Sequence, residues 1–246
     1  MLLRPLGALL ALALSSIGHA LTVDELIQKN IEARGGIDAI RAVNSVKSTG
    51  RMNFSGGDFS VDLGFVSLNE RGNKMRTEAS LQGLTQVSAY DGKEGWSIQP
   101  FQGRRDPERM SAEDAKGMQV DSDIDGPLVD WKTKGHKVSY LGMEDVDGTE
   151  AHKLKVELSN GDVQYRYLDP DYFLEIRVSS IVKRRGIESE IETDLGNYEK
   201  IAGVYWPFAI ESGAKGGPRG QKIIVEKAEV NVDIDDALFA FPAKKP

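Results

Sequence analysis

Asp121, Asp123, Asp125 and Gly126 are the residues whose spacing comes nearest to a chemical device. Carboxylates at positions 1, 3 and 5, with glycine at 6 for the sharp turn, open a calcium-binding loop. The twelfth position of such a loop carries a bidentate glutamate. Here it is Lys132, and Pro127 follows the glycine directly. The stretch therefore reads as an acidic loop or a helix cap, and no metal is expected. The chain has no cysteine, which excludes a Cys–His nucleophile. His136, in Lys134-Gly135-His136-Lys137, reads as a solvated loop residue. His152 falls on the apolar face of the strand that carries Leu154 and reads as a packing residue. Neither a G-x-S-x-G elbow nor an H-E-x-x-H helix occurs. The glycine-rich run Gly213 to Gly220 lacks the Gly-Lys-Ser/Thr ending of a phosphate loop and reads as a hairpin loop. Lys183-Arg184-Arg185-Gly186 reads as a solvated hairpin tip or as a docking point for anionic lipid headgroups or an acidic partner. No catalytic residue and no cofactor is expected.

Residues 1–20 have the pattern of a secretory signal peptide. Arg4 precedes an apolar run from Leu6 to Leu14, and small residues stand at Gly18 and Ala20. The run is too short for a spanning helix, which needs roughly 20 residues. The expectation is cleavage after Ala20 and export across the inner membrane. The remainder, 21–246, is expected to be one domain. The chain has 31 Lys and Arg against 38 Asp and Glu, a net charge of −7, so nucleic acid is a poor partner. With 40% hydrophobic residues and no low-complexity tract, it is not compositionally disordered.

The elements that would position any site are mostly strands. Thr22 and Glu25 form a capping box for an N-terminal helix that ends at Gly35-Gly36, and a short apolar turn runs from Ile37 to Val43. From Val46 the period changes to two. Phe59, Val61, Leu63 and Phe65 share one face, and Met75 leads an opposing strand. Trp96 and Ile98 share a face of a further strand. Asp106-Pro107-Glu108 predicts a helix start inside an excursion over 100–135, which Leu128, Val129 and Trp131 close. The β pattern then resumes. Leu154 and Val156 alternate with Lys155, Tyr165 and Tyr167 follow the Asn160-Gly161 turn, Ile176 pairs with Val178, and Trp206 lies in an apolar face from Val204 to Ile210. The sum is about ten or eleven antiparallel strands, which must curl or close. A curled sheet with helices over its concave side is a container. Its apolar lining is assigned by alternation alone, and a one-residue register error would invert it.

Three stretches resemble a known family. Leu68 to Arg76 followed by Tyr90-Asp91-Gly92-Lys93-Glu94-Gly95-Trp96 through Pro100-Phe101 resembles the LolA family of periplasmic lipoprotein carriers, with its R-P-N element and D-G-K-x-x-W-x-x-x-P-F motif. Val230 to Pro242 resembles the family's F-x-F-x-P ending, and Asn197 to Phe208 is similar to the broader group. The resemblance implies an incomplete barrel of about eleven strands with helices as a lid over an apolar cavity. It places Arg71 at the arginine that holds the lid, although Gly72 stands where the family has proline. Alternation assigns the lining of such a cavity to Phe54, Phe59, Val61, Leu63, Phe65, Met75, Trp96, Ile98, Phe101, Trp131, Leu154, Val156, Tyr165, Tyr167, Ile176 and Trp206. The cargo implied is lipoprotein acyl chains or free lipid, passed as a monomer from an inner-membrane donor to an outer-membrane acceptor, with transient membrane contact. A lipid-sensing regulatory module with a membrane partner is the alternative, and a secreted carboxylate hydrolase a distant third.

Overall fold

The computed structural model describes residues 21–184 and 187–243, and the leader pattern lies outside them. Helix α1, Val23–Ala33, begins as the capping box requires. The Thr22 hydroxyl accepts from Glu25 N at 3.2 Å and Glu25 Oε2 accepts from Thr22 N at 2.8 Å. The chain leaves α1 through Gly35 and Gly36, both at positive φ, and enters α2, Ile37–Arg41. Six strands follow: β1 Ser45–Gly56, β2 Phe59–Glu70, β3 Lys74–Leu81, β4 Leu84–Asp91, β5 Gly95–Gln99 and β6 Arg104–Arg109. Helix α3, Ala112–Asp121, and a loop over 122–136 come next. Seven more strands complete the sheet: β7 Lys137–Val146, β8 Thr149–Glu157, β9 Val163–Leu168, β10 Glu175–Arg184, β11 Ile187–Ile201, β12 Val204–Ala214 and β13 Gln221–Val230.

All thirteen strands form one antiparallel sheet in the order β6-β5-β4-β3-β2-β1-β13-β12-β11-β10-β9-β8-β7. The sheet does not close, since β6 and β7 are both edges, and it is the expected curled, incomplete barrel. Asp106-Pro107-Glu108 does not start a helix. It lies in edge strand β6, where a proline's missing N–H is tolerated. The helix starts at Ser111, whose hydroxyl accepts from Asp114 N at 3.1 Å. That helix seats against β5 at Gly95, where an added Cβ would lie 2.9 Å from the Met110 sulfur and 3.2 Å from Ala115 Cβ. From there Lys116 reaches Asp162 at 3.7 Å, so α3 bridges from β5 to the β8–β9 turn. Lys183 and Arg184 end β10, and the rest of the basic cluster, Arg185 and Gly186, lies outside the described residues.

Strand pairing sorts the side chains into two faces. The inner face carries α1, α2, α3 and the 122–136 loop. Leu26 and Ile27 of α1 pack with Leu128 on Val138, Leu154, Val156 and Leu168. Ile40 and Val43 pack with Val129 on Val46 and Val204. The outer face of β3 to β5 is covered by the C-terminal segment. Trp96 Nε1 donates to the Phe239 carbonyl at 2.7 Å, and Phe241 meets the Trp96 ring edge-on at 6.3 Å. Asp235 caps the turn at Asp236–Leu238 that delivers Phe239 there, fully buried.

Candidate functional site

The helices fill only part of the inner face. Under α1, strands β7 and β8 are dry core, with Leu154 and Val156 at 0% exposure. Beyond it two adjoining chambers remain open. An apolar chamber of about 210 Å³ is lined by Val46, Phe65, Ile124, Phe208, Ile210 and Val225, with Ser48 and Ser67 among them. A polar chamber of about 350 Å³ is lined by Arg34, Gln164, Arg166, Glu175, Ser180 and Thr193, with Val178 and Leu195 beside them. Asp121, Asp123, Trp206 and Pro207 line both.

The loop over these chambers is held by the aspartates that looked like a calcium site. Arg71 grips Asp125 through two hydrogen bonds of 2.8 Å, and the same guanidinium donates to the Ile40 carbonyl of α2 at 2.9 Å. The Asp125 carboxylate side chain is only 14% exposed, so the pair is shielded from water on the acid's side. The hydrogen bonds it donates to Asp125 hold the pKa of the Arg71 guanidinium above its usual value. Arg34, at the end of α1, donates to the Asp125 carbonyl at 2.6 Å. Lys134 spans Asp123 at 2.5 Å and the Gly126 carbonyl at 2.8 Å. Leu128 and Val129 anchor the same loop in the core. Among the described residues no group of three or more histidine, cysteine or acidic side chains could hold a metal ion. The two histidines of the domain have structural partners. His152 stacks on Phe173 at 5.7 Å and meets the Tyr140 hydroxyl at 3.0 Å, and burial lowers its pKa. His136 is half-buried rather than free in solvent, its Nδ1 accepting from Ser159 N at 3.0 Å, and burial lowers its pKa as well.

The sixteen residues expected to line a cavity fall into five groups. Phe65 and Trp206 line the chambers. Phe54, Val61 and Leu63 join Phe65 on the inner face in one cluster with Met52 and Ala79, and Phe54 also lines a separate hollow of about 230 Å³. Met75 shares that face through its pairing with Asn69 and Tyr90. Leu154, Val156 and Trp131 are inner-face core under α1. Phe59 and Phe101 are largely exposed and stand clear of the chambers. The remaining five are on the outer face. Trp96 and Ile98 pair with Ala89 and Val87 under the C-terminal segment. Tyr165, Tyr167 and Ile176 cluster with Val146 and Ala151, and Lys153 lies over both tyrosine rings. The alternation there is real, but the apolar face points away from α1. Asp121, Arg166, Phe208, Ile210 and Val225 line the chambers without having been expected there. Phe208 and Ile210 were visible as the continuation of the Trp206 face, whereas nothing near Asp121 or Arg166 signals a cavity.

No family model matches the chain, and no curated protein matches it. Solved structures do. A DUF1329 family protein from Desulfovibrio piger superposes with a TM-score of 0.60 at 15% identity, over 89% of this chain and 97% of that one. LolA superfamily protein NE2245 from Nitrosomonas europaea gives 0.60 at 14% identity, over 90% and 98%. A putative outer membrane lipoprotein-sorting protein domain from Vibrio parahaemolyticus gives 0.58 at 12%, over 88% and 95%. The chain therefore has the LolA-like fold, shared along nearly its whole described length.

Proposed function

We propose that this protein is a periplasmic carrier that takes acyl chains of lipoproteins or lipids into the inner-face cavity and moves them toward the outer membrane. The observation that carries the reading is an open apolar chamber beneath a loop pinned by Arg71 to Asp125. Returning an acyl chain to water costs about 0.8 kcal/mol per CH₂. A water-borne carrier must offer an apolar surface that offsets that cost yet leaves release possible. Phe65, Phe208, Ile210, Val225 and Trp206 supply the surface. Breaking the Arg71 contacts as the loop lifts costs part of the binding energy, so the carrier does not hold its cargo irreversibly. Export by the leader over 1–20, an inner-membrane donor and an outer-membrane acceptor complete the cycle, with the carrier as a monomer. The fold's likeness to a lipoprotein-sorting domain and a LolA superfamily protein supports a carrier over an enzyme.

The test is mass spectrometry of organic extracts from protein purified from the periplasm without detergent. A stoichiometric lipid or acylated peptide is expected. A clean extract together with a failed titration by a fluorescent fatty acid would overturn the proposal.

A further inference from the structure

The boundary between the two chambers has a chemistry of its own, and what it selects rests on the acyl-carrier reading above. Most charges around the polar chamber are already matched. Asp123 is held by Lys134. Arg166 pairs with Glu175 at 2.6 Å and donates to Gln164 at 2.8 Å, while its buried Nε meets no acceptor. Arg34 donates to the Asp125 carbonyl, a neutral acceptor.

Asp121 is different. It ends α3 with no hydrogen bond or ion pair to its carboxylate among the described residues, and it lines both chambers. Its side chain is exposed at the wall the two chambers share. Surrounding protein pushes its carboxyl up to about 6 in spite of the attraction of Arg166. In the same shared wall, the buried Trp206 Nε1 meets no acceptor. A buried indole donor left unsatisfied costs folding free energy, and a ligand acceptor would recover that loss. The wall thus presents one unmatched donor and one unmatched carboxylate where apolar lining turns polar.

We infer that the cavity selects amphiphiles with a primary ammonium head seated on Asp121 and an ester or amide carbonyl at the head of the chain accepting from Trp206 Nε1. An anionic head beside Asp121 would be repelled by it, with Arg34 and Arg166 the cations elsewhere in the chamber, and a hydroxyl would leave the Asp121 charge unmatched. Both an aminolipid and an acylated peptide with a free α-amine have this chemistry.

The experiment titrates the full domain with three probes that share a dodecanoyl amide and a two-carbon spacer and end in ammonium, hydroxyl or carboxylate. At pH near 7.5 the ammonium probe is expected to bind about tenfold tighter than the hydroxyl probe, with the carboxylate probe weakest. Asp121→Asn is expected to abolish the ranking. Lowering the pH through about 6 is expected to abolish it too, as Asp121 takes up a proton in the field of Arg34, Arg166, Glu175, Asp123 and Lys134. Trp206→Phe should weaken the amide probes by a larger factor than it weakens plain dodecylamine, which shares the apolar contact but has no carbonyl for Nε1. Circular dichroism confirms that each variant is folded. Equal binding of the three probes, or a ranking that survives Asp121→Asn, overturns the headgroup inference and leaves the acyl reading intact. Binding of none of them overturns both. Competition by lysophosphatidylethanolamine or by a diacylated lipopeptide with a free α-amine supports the inference and names the source. Competition by neither counts against it.

Discussion

Strands β7 and β8 and strands β12 and β13 all carry apolar inner faces, yet one side is core and the other is cavity. Under α1, Leu154, Val156 and Leu168 are fully buried. A few strands away, Ile210 and Val225 face a chamber. The strands themselves do not make the difference. Leu26 and Ile27 reach the first region from α1, and only the 122–136 loop, with Ile124, reaches over the second. The same alternation means packing where a helix lies on it and lining where none does.

Truncating each region should separate them most sharply. Leu154→Ala is expected to cost about 3–4 kcal/mol in urea unfolding, since it removes dry core and leaves a void. Ile210→Ala should cost about 1 kcal/mol or less, because one side of its wall is already open, while weakening fatty-acid binding. Equal losses would erase the distinction between core and lining. Arg71→Leu strands a mostly buried carboxylate at Asp125 and frees the Ile40 carbonyl. We expect a loss of about 2 kcal/mol, discounted for the partial exposure of Arg71, and faster amide exchange over 122–136. Unchanged exchange and unchanged cargo transfer would show that the loop does not depend on this pin. On the outer face, Trp96→Phe removes the bond to the Phe239 carbonyl and should cost about 1 kcal/mol, leaving ligand binding unaltered. Altered binding would mean that the C-terminal segment communicates with the cavity.

Asp121→Asn should have an effect of opposite sign. A carboxyl raised from 3.8 to about 6 binds its proton more tightly in the folded state. Its contribution to stability is greatest below the unfolded value and is lost as pH rises through about 6. The variant should therefore melt above the wild type at pH near 7.5, and the gap should close as pH falls through that window. A gap that does not vary with pH would mean that the Asp121 charge is solvated like any surface acid.

Much of the fold was legible because its signals are local. The capping box of Thr22 and Glu25, the turn glycines 92 and 161 at positive φ, and the period-two runs all declare themselves within a few residues. The proline at 107 misled because helix N-termini and edge strands both accept it. The resemblance placed Arg71 on the lid, and its contacts are with α2 and the 122–136 loop. The cavity was harder to read. Period two says that Tyr165 and Tyr167 lie opposite Leu154 and Val156 on neighbouring strands, but the face that is inside is chosen by α1, more than a hundred residues earlier. Trp96 likewise has an apolar face because the distant segment around Phe239 lies upon it. Asp121 was visible only as the first carboxylate of a calcium-like run, a pattern that speaks of a metal loop or a helix cap and not of a cavity wall.

The order of the sheet also sets a timetable. Strands β1 and β13 meet at its centre, with Val46 opposite Val230, so the first and last strands of the chain form the middle seam. Until β13 arrives, the chain consists of two separate six-strand ribbons, β6 to β1 and β12 to β7, with no hollow between them. Such long-range closure belongs to the slow end of domain folding. The vessel is completed last, and a chain cut before β13 would leave both inner edges open to aggregation.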